Sequence, residues 1–282
     1  MSYAVSDGVR IHYEVEGSGA PLVLHTGFVS SLRDWYHLGY VDSLQGDYRL
    51  ILIDPRGQGE SDKPHETDAY SPERRVADVV AVLDALGIDR AHFWGYSLGG
   101  RIGFDLAKQA PERFYSLVLG GHTPFGSPPN VARAELLRRG MEAFISEGER
   151  AMGRPLPAEM RTEWLANDAE ALAAATLVER PSLEADLSGM MLPALIYCGD
   201  QDPAYERAKR ASELMHNAAF LSLPGLNHLQ GVLRAELVLP HVRTFLQRVI
   251  GAPATTAERR LPRTPASPRR LITHEPPKNS SR

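Results

Sequence analysis

The sequence predicts an α/β protein: a mostly parallel sheet with helices on both faces. Three observations carry this. Short apolar, β-rich runs recur along the first 250 residues, amphipathic helical patterns lie between them, and the composition is that of an ordinary globular chain. The chain has 282 residues, of which 43% are hydrophobic and 23% charged, enough for one large domain or two modest ones. Strand and helix in alternation place parallel strands in one sheet, because each helix is the crossover that returns the chain to the same edge.

The elements follow in order. Residues 3–16 read as a hairpin turning at Asp7-Gly8, a dipeptide suited to the positive φ angles of a tight turn. Near-continuous apolar runs, as buried strands require, occur at Leu22–His25, Tyr48–Asp54, Ala91–Gly95, Tyr115–Gly120, Ala194–Gly199 and Ala219–Leu223. A helix is predicted over Ser71–Leu86. Ser71 is its N-cap and Pro72 its first residue, Val76, Val79, Val80 and Leu83 form its stripe, and Gly87 stops it. Further helical patterns cover Gly99–Ala110, Tyr205–Met215 and Arg234–Ile250. Between Thr123 and Leu192 the alternation stops. That stretch holds helical patterns near Val131–Ile145, Glu159–Ala166 and Ala169–Val178, punctuated by prolines, and no convincing strand. It reads as a helical insertion into the sheet.

Composition removes several classes of function. No apolar run approaches the roughly 18 residues of a membrane span, and the N-terminus lacks the charged-then-apolar pattern of a secretion signal. A single cysteine, Cys198, forbids an intrachain disulfide and a thiolate metal cluster; inside a buried run it reads as an inert, packed thiol. A cytoplasmic protein is expected. Net charge is −4, but residues 251–282 carry +5 and the preceding 250 residues −9. An acidic body is a poor match to nucleic acid, whose phosphates need a basic face. Residues 251–282 hold six prolines and almost no apolar periodicity, so a disordered basic tail is expected. No motif suggests a metal, and no G-x-G-x-x-G follows the first parallel strand, so no cofactor is indicated.

The strongest chemical signal is Gly95-Tyr96-Ser97-Leu98-Gly99-Gly100, a G-x-S-x-G between a predicted strand and a predicted helix. A residue on such a sharp turn projects its side chain clear of the sheet, and the flanking glycines keep Cβ atoms out of neighbouring elements. The helix beginning after Ser97 aims its N-terminal dipole at the site, which favours a developing oxyanion. A serine hydroxyl needs a base, because it is hardly ionised near neutrality. His228, on a loop past the last predicted strand, is best placed, with His25 and His122 as runners-up. The base needs an orienting acid. Strand Ala194–Gly199 runs into Gly199-Asp200-Gln201-Asp202, offering Asp202 and, as the alternative, Asp200. The order Ser97, Asp202, His228 differs from that of chymotrypsin-like and subtilisin-like proteases.

On these residues the chain resembles the α/β-hydrolase fold superfamily, of the cap-bearing serine esterase type, from about residue 3 to 250. Asp54-Pro55-Arg56-Gly57-Gln58-Gly59-Glu60-Ser61 adds to the likeness and reads as loop architecture rather than chemistry. The resemblance implies a mostly parallel eight-stranded sheet built from residues 1–122 and 193–250, with 123–192 as a helical cap. It implies an oxyanion hole from the backbone N–H groups of Leu98 and Phe28. His25-Thr26-Gly27-Phe28 has one residue more between His and Gly than the usual pattern, so Gly27 and Val29 remain alternative donors. Position 97 is Ser, not the nucleophilic Asp of dehalogenase and epoxide-hydrolase relatives. The function expected is hydrolysis of a small carboxylic ester or lactone without a cofactor. Phe125, Phe144 and Trp164 are the candidate substrate contacts from the cap. C–C bond hydrolysis or perhydrolysis by the same residues is the alternative, and a non-catalytic ligand receptor a more distant one. Oligomeric state is not legible.

Overall fold

The computed structural model describes residues 1–251; apart from Gly251, the expected tail lies outside the described residues. Eight strands form one sheet: β1 (Ser2–Ser6), β2 (Val9–Glu16), β3 (Ala20–His25), β4 (Tyr48–Ile53), β5 (Ala91–Tyr96), β6 (Phe114–Gly120), β7 (Ala194–Gly199) and β8 (Ala218–Leu223), in the order β1-β2-β4-β3-β5-β6-β7-β8. The pairs β1–β2 and β2–β4 are antiparallel, and every other pair is parallel. The first hairpin turns at Asp7 (φ 50°) and Gly8 (φ 78°), the two positive angles its sequence called for.

Period-2 alternation divides the strand side chains between two cores. Val23, Ile51, Phe93, Leu117 and Ile196 face one side. There they meet Val79, Val82 and Leu83 of α3 (Pro72–Ala85), Ile102 and Leu106 of α4 (Leu98–Gln109), and Ala208 and Ala211 of α9 (Tyr205–Leu214). Leu22, Leu24, Leu50, Leu52, Trp94 and Tyr197 face the other. They pack on α1 (Arg33–His37), α2 (Tyr40–Leu44) and α11 (Ala235–Gly251). On that side Trp94 is fully buried, with Tyr40 and Trp35 edge-on at 5.2 and 5.8 Å. Such pairs add about 0.5–1.5 kcal/mol each beyond area burial. α1 and α2, five residues each, lacked a sequence signal because so short a helix shows barely one turn of periodicity.

The insertion between β6 and β7 holds α5 (Val131–Arg138), α6 (Met141–Met152), α7 (Ala158–Leu165) and α8 (Ala169–Thr176). The single helix expected over Val131–Ile145 is two. Gly140, at φ 104°, leaves helical space between them. Arg101, 2% exposed and paired with Asp105, ties the insertion to α4: it donates to the Pro124 carbonyl at one end of the insertion and the Pro181 carbonyl near the other. A last short helix, α10 (Gln230–Leu233), follows β8.

The parallel register brings the carboxyl ends of the central strands to one edge. His25 pairs with Gly95, Tyr96 with Gly120, and Gly120 with Tyr197. In open α/β sheets this is the edge at which ligands are bound.

Candidate active site

Ser97 sits between β5 and α4 at φ 53°, a conformation that costs an L-residue of order 1–3 kcal/mol and persists only where the surroundings enforce it. They do so here through contact too close for side chains. A Cβ on Gly95 would stand 2.2 Å from the Gly99 backbone, and one on Gly99 2.2 Å from the His25 carbonyl oxygen. The turn is pinned by the Ser97 N–H donating to the Gly120 carbonyl (2.8 Å) and the Gly99 N–H donating to the Thr26 carbonyl (3.1 Å).

The strand ends then bring three distant residues together. Ser97 Oγ lies 3.0 Å from His228 Nε2, and His228 Nδ1 lies 2.6 Å from Asp202 Oδ2. Burial opposes ionisation of Asp202. The His228 ring, the Ala204 N–H and the Cys198 thiol outweigh it and hold the carboxyl below its ordinary value. Asp200, the alternative acid, faces elsewhere and accepts the Gly225 N–H at 2.8 Å. His25 is 2% exposed and bonds the Thr26 carbonyl, and His122 bonds the carbonyl of Thr123. Burial pushes His25 down to about 4 and His122 to about 3, so both are neutral loop-ordering groups near pH 7.

The loop after β3 lies against the serine: a Cβ on Gly27 would be 3.4 Å from that of Ser97. The Val29 N–H is taken by the Gln58 side-chain carbonyl at 2.8 Å, which removes Val29 as an oxyanion donor and leaves Phe28 and Gly27. A pocket enclosing about 560 Å³, its mouth included, opens on Ser97 and His228. Trp164 and Met160 of the insertion line it; Phe125 and Phe144 do not. Phe125 is held outside by the guanidinium groups of Arg207 and Arg210 at 5.4 and 5.6 Å, and Phe144 stacks edge-on behind Phe28 at 6.4 Å. Both expected contacts are therefore corrected to packing residues.

A family model described as alpha/beta hydrolase fold matches residues 20–182, more than half of the chain. The chain belongs to the α/β-hydrolase fold family. A putative 2-succinyl-6-hydroxy-2,4-cyclohexadiene-1-carboxylate synthase of Bacillus subtilis is 31% identical over 73% of this hydrolase and 82% of that protein. A bifunctional epoxide hydrolase 2 of Sus scrofa is 35% identical, but over 48% of this chain and 24% of its own. Among solved structures, the enol-lactonase of Burkholderia xenovorans LB400 superposes with a TM-score of 0.76 at 26% identity, covering 87% of this chain and 100% of that one.

Three contributors to this α/β-hydrolase site had no sequence signal. Tyr96 donates its hydroxyl to the His228 carbonyl, holding the histidine loop against β5. Gln58 reaches from the stretch read as architecture to bond Gly27, Val29 and Ser30. Cys198, packed as expected and with its thiol pushed up by burial, also touches the Asp202 carboxylate. The contacts of Tyr96 and Gln58 join segments far apart in the chain, and that of Cys198 with Asp202 depends on the turn after β7. Among the described residues, no helix is long and apolar enough to cross a membrane.

Proposed function

We propose that this α/β-hydrolase cleaves a small carboxylic ester or lactone through an acyl-enzyme on Ser97. The observation that carries the proposal is the unbroken chain Ser97 Oγ, His228, Asp202, at 3.0 and 2.6 Å, opening on one pocket. His228 Nε2 accepts the Ser97 proton as Oγ forms a bond to the substrate carbonyl carbon. Asp202 accepts from the Nδ1–H, selecting the tautomer that leaves Nε2 free and stabilising the imidazolium. The oxyanion is received by the N–H groups of Leu98 and Phe28 and by the N-terminus of α4. The carbonyl–oxygen bond to the leaving alkoxide then breaks, and His228 returns the proton to it. Water, deprotonated by His228, attacks the acyl carbon and releases the acid and free Ser97. No step calls for a cofactor.

Residues 123–192 act as a cap, with Trp164 and Met160 as its contribution to the pocket wall. The enol-lactonase likeness supports the ester and lactone class. The test is a p-nitrophenyl ester panel from acetate to palmitate, run beside a lactone and a diketone with product analysis. Turnover of short esters or the lactone supports the proposal. Cleavage of the diketone alone would move it to C–C bond hydrolysis, and no turnover of any would leave a ligand receptor.

A further inference from the structure

The pocket beside Ser97 is walled mainly by apolar and aromatic side chains, among them Phe28, Trp35, Leu38, Trp164 and Val232. One carboxyl interrupts them. Asp34, on α1, lines the same pocket yet is only 7% exposed. Its neighbour Arg33 points away and pairs with Glu14 at 2.6 Å. Among the described residues no Lys or Arg is paired with Asp34; the Ser30 hydroxyl and the exposed His37 ring are the neighbours that favour its anion. From the insertion, Glu163 of α7 adds a second carboxylate. One ligand atom each of Asp34, Glu163 and His37 lie within 4.8 Å of one another, and among the described residues the Glu163 carboxylate is met by His37 and the Ser31 hydroxyl, both at 3.3 Å.

A carboxylate taken out of water without a compensating cation is costly, and the cost falls when a cation is brought to it. Burial, with Glu163 adding to it, pushes the Asp34 carboxyl up to about 6, so near neutrality it is still mostly the anion. Trp35 and Trp164 line the same space and keep water from the carboxyl. A buried carboxylate with a second carboxylate beside it is complementary to an ammonium group.

We infer that Asp34, backed by Glu163, makes one end of the Ser97 pocket a subsite for a cationic nitrogen, so that the preferred substrate is a small ester carrying an ammonium group. This rests on the hydrolase proposal above for its chemistry, and on the pocket alone for its binding.

The test uses p-nitrophenyl esters of trimethylammonio acids with two to four methylenes, each beside its tert-butyl isostere. The charged member of at least one pair should show about tenfold higher kcat/KM or more. Asp34→Asn should bring that ratio close to one, and Glu163→Gln, at a more exposed residue, should lower it partway even if the Asp34 variant folds poorly. Equal rates, a preference for the neutral ester, or a ratio that survives both substitutions overturns the inference. A stoichiometric divalent metal retained through dialysis would also overturn it, because the ion would fill the ammonium's place. If neither ester of any pair is turned over, the hydrolase proposal fails but this one is still decided by calorimetry. Benzyltrimethylammonium should bind the full-length chain more tightly than benzyl alcohol and lose that advantage in Asp34→Asn; no advantage, or one that survives the substitution, overturns the inference.

Discussion

Gln58 accepts a hydrogen bond from the Val29 N–H at 2.8 Å, at a residue whose φ is 63°, an angle that β-branched side chains rarely adopt. The same amide donates to the carbonyls of Gly27 (2.9 Å) and Ser30 (3.1 Å), and Gln58 is 1% exposed. One buried side chain thus clamps the turn that carries Phe28, the proposed second oxyanion donor, and pays for its strained backbone.

Gln58→Leu leaves those backbone groups without their partner and frees the turn. kcat on a p-nitrophenyl ester should fall about tenfold to a hundredfold, less than the roughly 10²–10³-fold cost of removing an oxyanion donor outright, because the donor is loosened and not lost. KM should move less than about threefold, because the ground-state carbonyl makes weaker use of the donors. Steady-state kinetics beside a melting curve checks this. A kcat loss no larger than the change in KM would show that the clamp serves stability only.

The two acids after β7 should separate cleanly. Asp202→Asn keeps the shape but turns an amide toward His228 Nδ1, favouring the wrong tautomer, and should lower kcat by about 10³–10⁴-fold. Asp200→Asn alters a carboxylate that bonds the Gly225 N–H and should cost less than about threefold in kcat. Equal losses in the two variants would contradict the assignment of Asp202.

Stability should fall with acid. Burial holds His25 and His92 down at about 4 and His122 at about 3 in the native state, against about 6.5 when unfolded. The unfolded chain therefore binds more protons between pH 6.5 and 4, so stability is full above that window and lost as pH falls through it. Each histidine contributes at most about 3–5 kcal/mol, at 1.36 kcal/mol per unit. Asp34 runs the other way: raised to about 6, it favours the native state as pH drops toward 4 and offsets about one of the three histidines. The net expectation is a Tm that declines from pH 7 to 4.5. His92→Asn, which removes one buried imidazole beside Ser116, should flatten the decline, as differential scanning calorimetry would show. A wild-type Tm that is flat across this range contradicts the account.

In the proposed cap, Trp164 and Met160 form one wall of the Ser97 pocket, so short acyl chains should be favoured. Esters of about C2–C6 are expected to show higher kcat/KM than those of C12–C16, and Trp164→Ala should shift the optimum toward longer chains. Activity that rises steadily to palmitate would contradict a closed roof.

The sheet and the succession of strands and helices along the chain were legible from local patterns, as was the placing of Ser97 and His228 as candidates at one sheet edge. Continuous apolar runs mark β3 to β7, and Gly95 and Gly99 mark the turn that their backbone contacts demand. Asp202 was preferred to Asp200 from the sequence, while the direction of each carboxylate after β7, Asp202 to His228 and Asp200 to the Gly225 N–H, comes from the structure. Gln58, Tyr96 and Asp34 were not legible. Each acts through a partner 29 or more residues away or through a shared pocket, and nothing in its own neighbourhood records the contact. Phe125 and Phe144 failed for the same reason: size and position in the insertion do not say which way a ring faces.

The central claim is a covalent acyl-enzyme on Ser97, and the most direct measurement is intact-protein and peptide mass spectrometry after rapid acid quench of p-nitrophenyl acetate turnover. The account predicts one acetyl group per chain on the peptide holding Ser97, formed with a burst of p-nitrophenol and absent in Ser97→Ala, whose kcat falls at least about 10³-fold. Turnover with no acyl adduct, or a Ser97→Ala variant that keeps more than about a tenth of the wild-type rate, would contradict it.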